Sequence, residues 1–144
     1  MKHQDFIAGL DETRVVAAIV AAEKMSSGEI RVFVSRQPSA DPLAAAQKQF
    51  VKLRMHQTQA RNGVLIFFAP ASQNFAILGD AGIHEKCGDA FWHEIRDAMS
   101  VHLNQGRLTE AVVEAVHQTG RLLARHFPRG ADDQNELPDG IATD

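Results

Sequence analysis

The sequence predicts an α/β fold, an α/β/α sandwich around a small mixed sheet, and three observations carry that prediction. Segments with apolar residues at helical spacing alternate with short runs of β-branched and aromatic residues, in the order α-β-α-β-β-α-α. The most apolar stretch, "VLIFFAPA" at 64–71, is unbroken by polar residues, which marks a strand covered on both faces. A chain of 144 residues has room for one hydrophobic core and one domain.

Each element follows from its own residues. Residues 11–25 form a helix whose apolar stripe is Val15, Ile19 and Ala22, flanked by Val16, Val20 and Met25. "SSG" at 26–28 ends it, with Gly28 expected in the left-handed conformation that closes helices. "EIRVFVS", 29–35, is rich in β-branched residues and makes the first strand. Asp41 and Pro42 start a second helix, the carboxylate as cap and the proline in the first turn. That helix continues to His56 with Leu43, Ala46, Phe50 and Leu53 on its inner face. After the strand within 64–71, "PASQ" turns the chain and "NFAILG", 74–79, returns as an antiparallel partner, because so short a link permits only a hairpin. A third helix spans 86–104 with Trp92, Ile95, Met99 and Leu103 as its stripe. "NQGR" breaks it, and a fourth helix over 108–127 buries Leu108, Val112, Val116 and Leu123 before Pro128 stops it. The second helix joins strands one and two, which are therefore parallel and linked by a right-handed crossover. Residues 1–129 make up the α/β/α domain, and 130–144 form an acidic tail marked by Pro and Gly. Within the tail, Asp139 to Asp144 are expected to be dispensable, whereas Leu137, apolar among acids, marks a docking point.

Composition narrows the functional classes. Apolar residues make up 44% and charged residues 23%, ordinary for a soluble globular protein. The longest apolar run falls well short of the ~20 residues of a spanning helix, so no membrane insertion is expected. The N-terminal "MKHQDFIAGLDE" lacks the apolar core of a signal peptide, so a cytoplasmic location is expected. Cys87 is the sole cysteine, so no internal disulfide forms. Of 18 acids, five lie in the tail after Arg129, leaving 13 against 15 bases in the body. A body so near neutrality lacks the concentrated basic face that nucleic acid requires. Lys48, Lys52, Arg54 and Arg61 read as the solvated side of a helix and its exit loop, and no nucleic-acid partner is expected.

The stretch "GDAGIHEKCGDAFWHE", 79–94, holds two His, a Cys and several carboxylates. A structural zinc site needs a second ligand pair, and none is present. Asp89, His93 and Asp97 stand at four-residue intervals, a surface ladder on the third helix. Cys87 falls in the first turn of that helix, where the dipole favours thiolate, yet no base or oxyanion pocket accompanies it. His102 and His117 read as structural. Phosphate-cradling, dinucleotide and nucleophile-elbow motifs are absent from the sequence.

Topology supplies the stronger inference. Parallel strands one and two and antiparallel strand three gather Gly28–Glu29, Arg61–Asn62 and Gly79–Asp80 at one sheet edge. Glu29 and Asp80 are the carboxylates placed to bind a hard divalent cation such as calcium, which prefers oxygen. Arg61 and Asn62, beside the amides at the start of the third helix, suit an anion. In the alternative, Glu29 pairs with a neighbouring base and Asp80 caps the turn before the third helix, with no ion. The opposite edge collects Ser35, Arg36, Gln37 and Ser72, at the carboxyl ends of the parallel strands where ligands of open sheets usually bind.

"SSGEIRVFV", "RNGVLIFFAPASQNFAILGDAGIHEK" and "HFPRGADDQNELPD" resemble the TPM domain family, named for thylakoid-lumen phosphatase-like proteins, a photosystem-repair protein and a modulator of an acetylcholine receptor. The resemblance covers residues 10–139, and "NELPD" points to a bacterial branch. It implies an α/β/α sandwich. It also implies an unsettled function: some plant members are described as acid phosphatases, some bacterial members bind calcium, and others assist membrane complexes. Asp80 in "GDAGI" matches the recurring acid after the third strand, and Glu29 the polar position that opens the first. The expectation is a soluble, non-catalytic module that binds a protein partner or an ion and requires no cofactor. The alternative is a metal-assisted acid phosphatase acting on phosphate monoesters.

Overall fold

The computed structural model describes residues 8–88, 90–129 and 137–144. Helix α1 (Glu12–Glu23) begins where the Asp11 carboxylate accepts a hydrogen bond from the Arg14 N–H at 3.2 Å, the usual N-cap. Val15, Ile19 and Glu23, one turn apart, all face inward. Met25, expected within the stripe, lies past the last turn and is exposed. Gly28 is not left-handed either, since only Gly88 and Gly106 among the described glycines have positive φ. Its role is closeness: a Cβ there would stand 2.7 Å from Cδ1 of Leu123.

The sheet contains β1 (Glu29–Val34), β2 (Gly63–Ala69), β3 (Asn74–Gly79) and β4 (Ala142–Thr143), in the order β3-β2-β1-β4. As the sequence predicts, β1 and β2 are parallel, with Glu29 opposite Gly63, and β3 is antiparallel to β2, with Val64 opposite Gly79. All seven residues of β2 are buried. Phe33 and Phe67, directly opposed, stack with ring centroids 5.6 Å apart, a contact contributing about 1 kcal/mol beyond burial.

Helix α2 (Pro42–Lys52) links β1 to β2 and covers one face, where Ala46, Phe50 and Met55 meet Phe33, Leu65 and Phe67. On the other face α1, α4 (Ala90–Asn104) and α5 (Leu108–His126) pack Ile19, Ile95, Met99 and Val116 against Ile30, Val32 and Ile66. Helices on both faces complete the sandwich.

The structure departs from the sequence reading elsewhere too, and the second helix ends at Lys52 where His56 was expected. The expected third helix is two helices, α3 (Ala81–Cys87) and α4, interrupted at Gly88, whose φ of 70° suits glycine. Leu43, expected inside, is 47% exposed, because α2 turns Ala46 and Phe50 to the sheet instead. The C-terminal segment is part of the fold. Leu137 packs in the α2-side core, Ile141 against the opposite core, and Ala142–Thr143 pair with Phe33–Val34. The Asp144 carboxylate accepts hydrogen bonds from the Ser35 hydroxyl and the Arg36 N–H. Asp139 to Asp144, expected to be dispensable, thus include a strand of the sheet: two residues pairing with a distant strand leave no periodic signal in a polar segment.

Candidate functional site

The starts of β1 and β2 and the end of β3 share one edge, and Glu29, Arg61, Asn62 and Asp80 all stand there. The grouping is different from a Glu29–Asp80 pair. Asp80 leaves β3 with its N–H on the Gly63 carbonyl at 2.9 Å, and its Oδ1 accepts from the Ala81 N–H at 2.7 Å, capping α3. Arg61 donates from Nε to Oδ2 at 2.7 Å and from Nη2 to Oδ1 at 2.8 Å. This two-pronged pair engages both oxygens of a buried carboxylate, and Asp80 holds the Arg61 guanidinium above its usual pKa. The 60–61 loop lies so close to α3 that a Cβ on Gly82 would meet the Ala60 and Arg61 carbonyl oxygens at 2.6 and 2.7 Å. Asn62 is buried, with its side-chain amide donating to the Ser27 hydroxyl at 3.1 Å and its carbonyl accepting from the Glu29 N–H at 3.3 Å. Arg61, Asn62 and Asp80 together fasten three chain segments.

Glu29 instead belongs with Glu23, Arg31 and Asp139. Glu23, the last residue of α1, reaches the edge of β1, where its Oε2 accepts from the Ile30 N–H at 3.0 Å. Its other oxygen is buried with no N–H donor near it. Burial, then hydrogen bonds to the carboxyls of Asp139 and Glu29, push the Glu23 carboxyl up to about 10, against the opposing Ile30 N–H. The shift favours the protonated form of the Glu23 carboxyl at neutral pH. Arg31, 9% exposed, donates from Nη2 to the Gly140 carbonyl at 3.4 Å. Burial lowers its pKa, while Asp139 and then Glu23 oppose that shift. Arg129 Nη1 donates to the Glu23 carbonyl at 2.6 Å, closing the end of α1. Glu23, Arg31 and Asp139 were absent from the sequence-predicted site. One signal pointed to Glu23: it continues the Val15–Ile19 row at helical spacing, which places a carboxyl on a buried face.

The conspicuous His and Cys residues do not converge. Cys87 sits in the last turn of α3, not in the first turn of a helix, so the dipole opposes thiolate there. Burial pushes its thiol up, only partly countered by Lys86. His84 packs beside Trp92, ring centroids 6.2 Å apart, and His93 is exposed. Asp89, the first member of the expected ladder, lies outside the described residues. Among the described residues no three His, Cys, Asp or Glu side chains stand as a ready metal-binding set, the Glu23 cluster included. At the opposite sheet edge Asp144 occupies Ser35 and Arg36, and Ser72 accepts from the Ser39 N–H at 2.9 Å. A cavity of about 390 Å³ lies near that end, lined by Phe68, Asn74, Phe75, Leu103 and neighbours, with no acid or base among the described residues.

The TPM domain family model matches residues 1–122. The chain belongs to the TPM domain family. A solved relative, the NMR structure of BA42 protein from the psychrophilic bacterium Bizionia argentinensis, is similar over 92% of each chain, with 38% identity and a TM-score of 0.86. No curated protein matches the chain. In this TPM domain, Glu23, Glu29 and Arg31 lie within the matched residues and Asp139 beyond them. Among the described residues no helix is long and apolar enough to cross a membrane.

Proposed function

We propose that this TPM domain is a non-catalytic binding module that takes up a divalent cation among Glu23, Glu29 and Asp139. The observation that supports the reading is the buried Glu23 carboxyl placed beside the carboxyls of Asp139 and Glu29, a crowding that raises its pKa. Three carboxylates there outnumber the guanidiniums of Arg31 and Arg129, which leaves excess negative charge for a cation. At neutral pH a proton on Glu23 offsets part of it. A cation drawing the three groups together would displace that proton, and oxygen-only ligands favour calcium over softer metals. Asp139 belongs to the C-terminal segment, so uptake of the ion would tighten that segment onto β1.

Calcium titration followed by amide NMR tests the reading. Shifts are expected at Glu23, Glu29, Arg31 and Gly140, with Asp80 unmoved, and they should weaken in Glu23→Gln. Shifts confined to Asp132, Asp133 and Glu136 would mean diffuse attraction to acidic residues and no site. The same protein should leave p-nitrophenyl phosphate intact with calcium, magnesium or manganese. Turnover that Asp80→Asn abolishes would replace this reading with a metal-assisted phosphatase.

A further inference from the structure

We propose that the outer edge of β3 is the interface at which two copies of this chain pair into one continuous sheet. The inference is independent of the cation reading, because it uses the opposite side of the sheet.

The two edges of the sheet are finished differently. At β1 the C-terminal segment adds β4, and Glu23 occupies the Ile30 N–H. At β3, last in the strand order, no described segment pairs with the outer side. Edge strands are normally protected by charges, proline or a bulge. β3 has none of these: its sequence is NFAILG, paired to β2 without interruption. Asp80 donates to Gly63, so pairs alternate inward from there, and the N–H and C=O groups of Phe75, Ile77 and Gly79 point outward.

Two cavities lie one after the other along this edge. One cavity, about 370 Å³, is lined by Asp41, Leu43 and residues 73–77, with Arg96 and Ser100 of α4 on the far wall. A second, about 260 Å³, continues it along Leu78, Gly79 and Asp80 beside Gln47, Val51 and Arg61. The α2 wall is the row Leu43, Gln47, Val51, at four-residue spacing. Leu43 is 47% and Val51 59% exposed, which accounts for two of the large apolar side chains left in solvent.

A second copy fits because the edge is complementary to itself. An antiparallel two-fold axis through Ile77 sets Phe75 against Gly79 of the other copy, matching outward donors with outward acceptors. Leu43 and Val51 are about 12 Å apart along α2, close to the roughly 14 Å from Phe75 to Gly79. The same axis therefore brings Leu43 against Val51 of the other copy. Helix α2 packs against both β2 and β3, so the two α2 helices would lie about 10 Å apart across paired strands, the distance of packed helices. At the ends, each cavity carries one acid and one base, Asp41 with Arg96 and Asp80 with Arg61, so no net like charge opposes the second copy.

Sedimentation equilibrium of the full chain should give twice the 15.8 kDa monomer mass at high concentration. Leu43→Lys and Val51→Asp alter exposed side chains, so each variant should keep the wild-type NMR fold. Each should weaken dimerisation by about tenfold or more. Mixing the two variants should restore a dimer. The ammonium introduced in one copy then faces the carboxylate introduced in the other, while the unaltered Val51 and Leu43 still meet at the second contact. Amide exchange at Phe75, Ile77 and Gly79 should slow as concentration rises. A chain that stays monomeric to about 1 mM, a dimer indifferent to both substitutions, or exchange at those amides independent of concentration would overturn the proposal.

Discussion

Glu23 concentrates the physical argument into one side chain. Its folded pKa is raised far above the ordinary carboxyl value, so between about pH 4.5 and 10 folding takes up a proton. Its contribution to stability is complete below the unfolded pKa and is lost as pH rises towards the folded one. The slope reaches at most about 1.4 kcal/mol per pH unit for one proton. Glu23→Gln keeps an acceptor for Ile30 and supplies an N–H donor to Glu29 or Asp139, without the titration. Urea denaturation from pH 5 to 9 should show wild type weakening with pH and Glu23→Gln nearly flat. Parallel slopes would show that Glu23 ionises normally. Gly82 is the second decisive residue. Its missing Cβ lets α3 approach two carbonyl oxygens, so Gly82→Ala forces backbone apart and should cost about 2–3 kcal/mol. A loss below about 0.5 kcal/mol by the same measurement would mean the loop yields freely.

At the scale of elements, the sequence was most legible where one residue type dominates a segment. The apolar run of β2 announced a central strand, and the short link from Ala69 to Asn74 left β3 no option but the hairpin. Asp41 caps its helix, as its position foretold. Legibility failed where tertiary contacts decide. The stripe from Trp92 to Leu103 gave a helix, yet nothing periodic reported the break at Gly88 that moves Cys87 to the end of a separate helix. Glu29 and Asp80 were correctly gathered at one edge, but the side of the strand each carboxylate takes depends on partners. Arg61 captures Asp80, while α1 delivers Glu23 towards Glu29. β4 pairs with a strand more than a hundred residues earlier, beyond any local pattern. Removing residues 139–144 deletes β4, Ile141 and the Asp139 carboxyl together. That truncation should lower Tm by several degrees, and removing 130–144, with Leu137 as well, should lower it further. An unchanged Tm for the shorter truncation would show that the segment adds nothing to the sheet.

The whole molecule is a sheet with one edge sealed and one edge open. The sealed edge depends on a cluster whose charge is unbalanced without a proton or an ion, and the C-terminal segment supplies part of that cluster. The open edge presents backbone groups and an apolar row that fit a second copy. Both features rest on the same frame, with β2 at its centre and the Arg61–Asp80 clamp holding the loop between them. The central claim is that a cation takes the place of the Glu23 proton, and counting that proton tests it most directly. Calcium binding measured by calorimetry at pH 7, in buffers of different ionisation enthalpy, should release about one proton per ion bound. The release should vanish in Glu23→Gln, and affinity in the wild type should rise with pH. Calcium binding without proton release, or the same release from Glu23→Gln, would contradict the account.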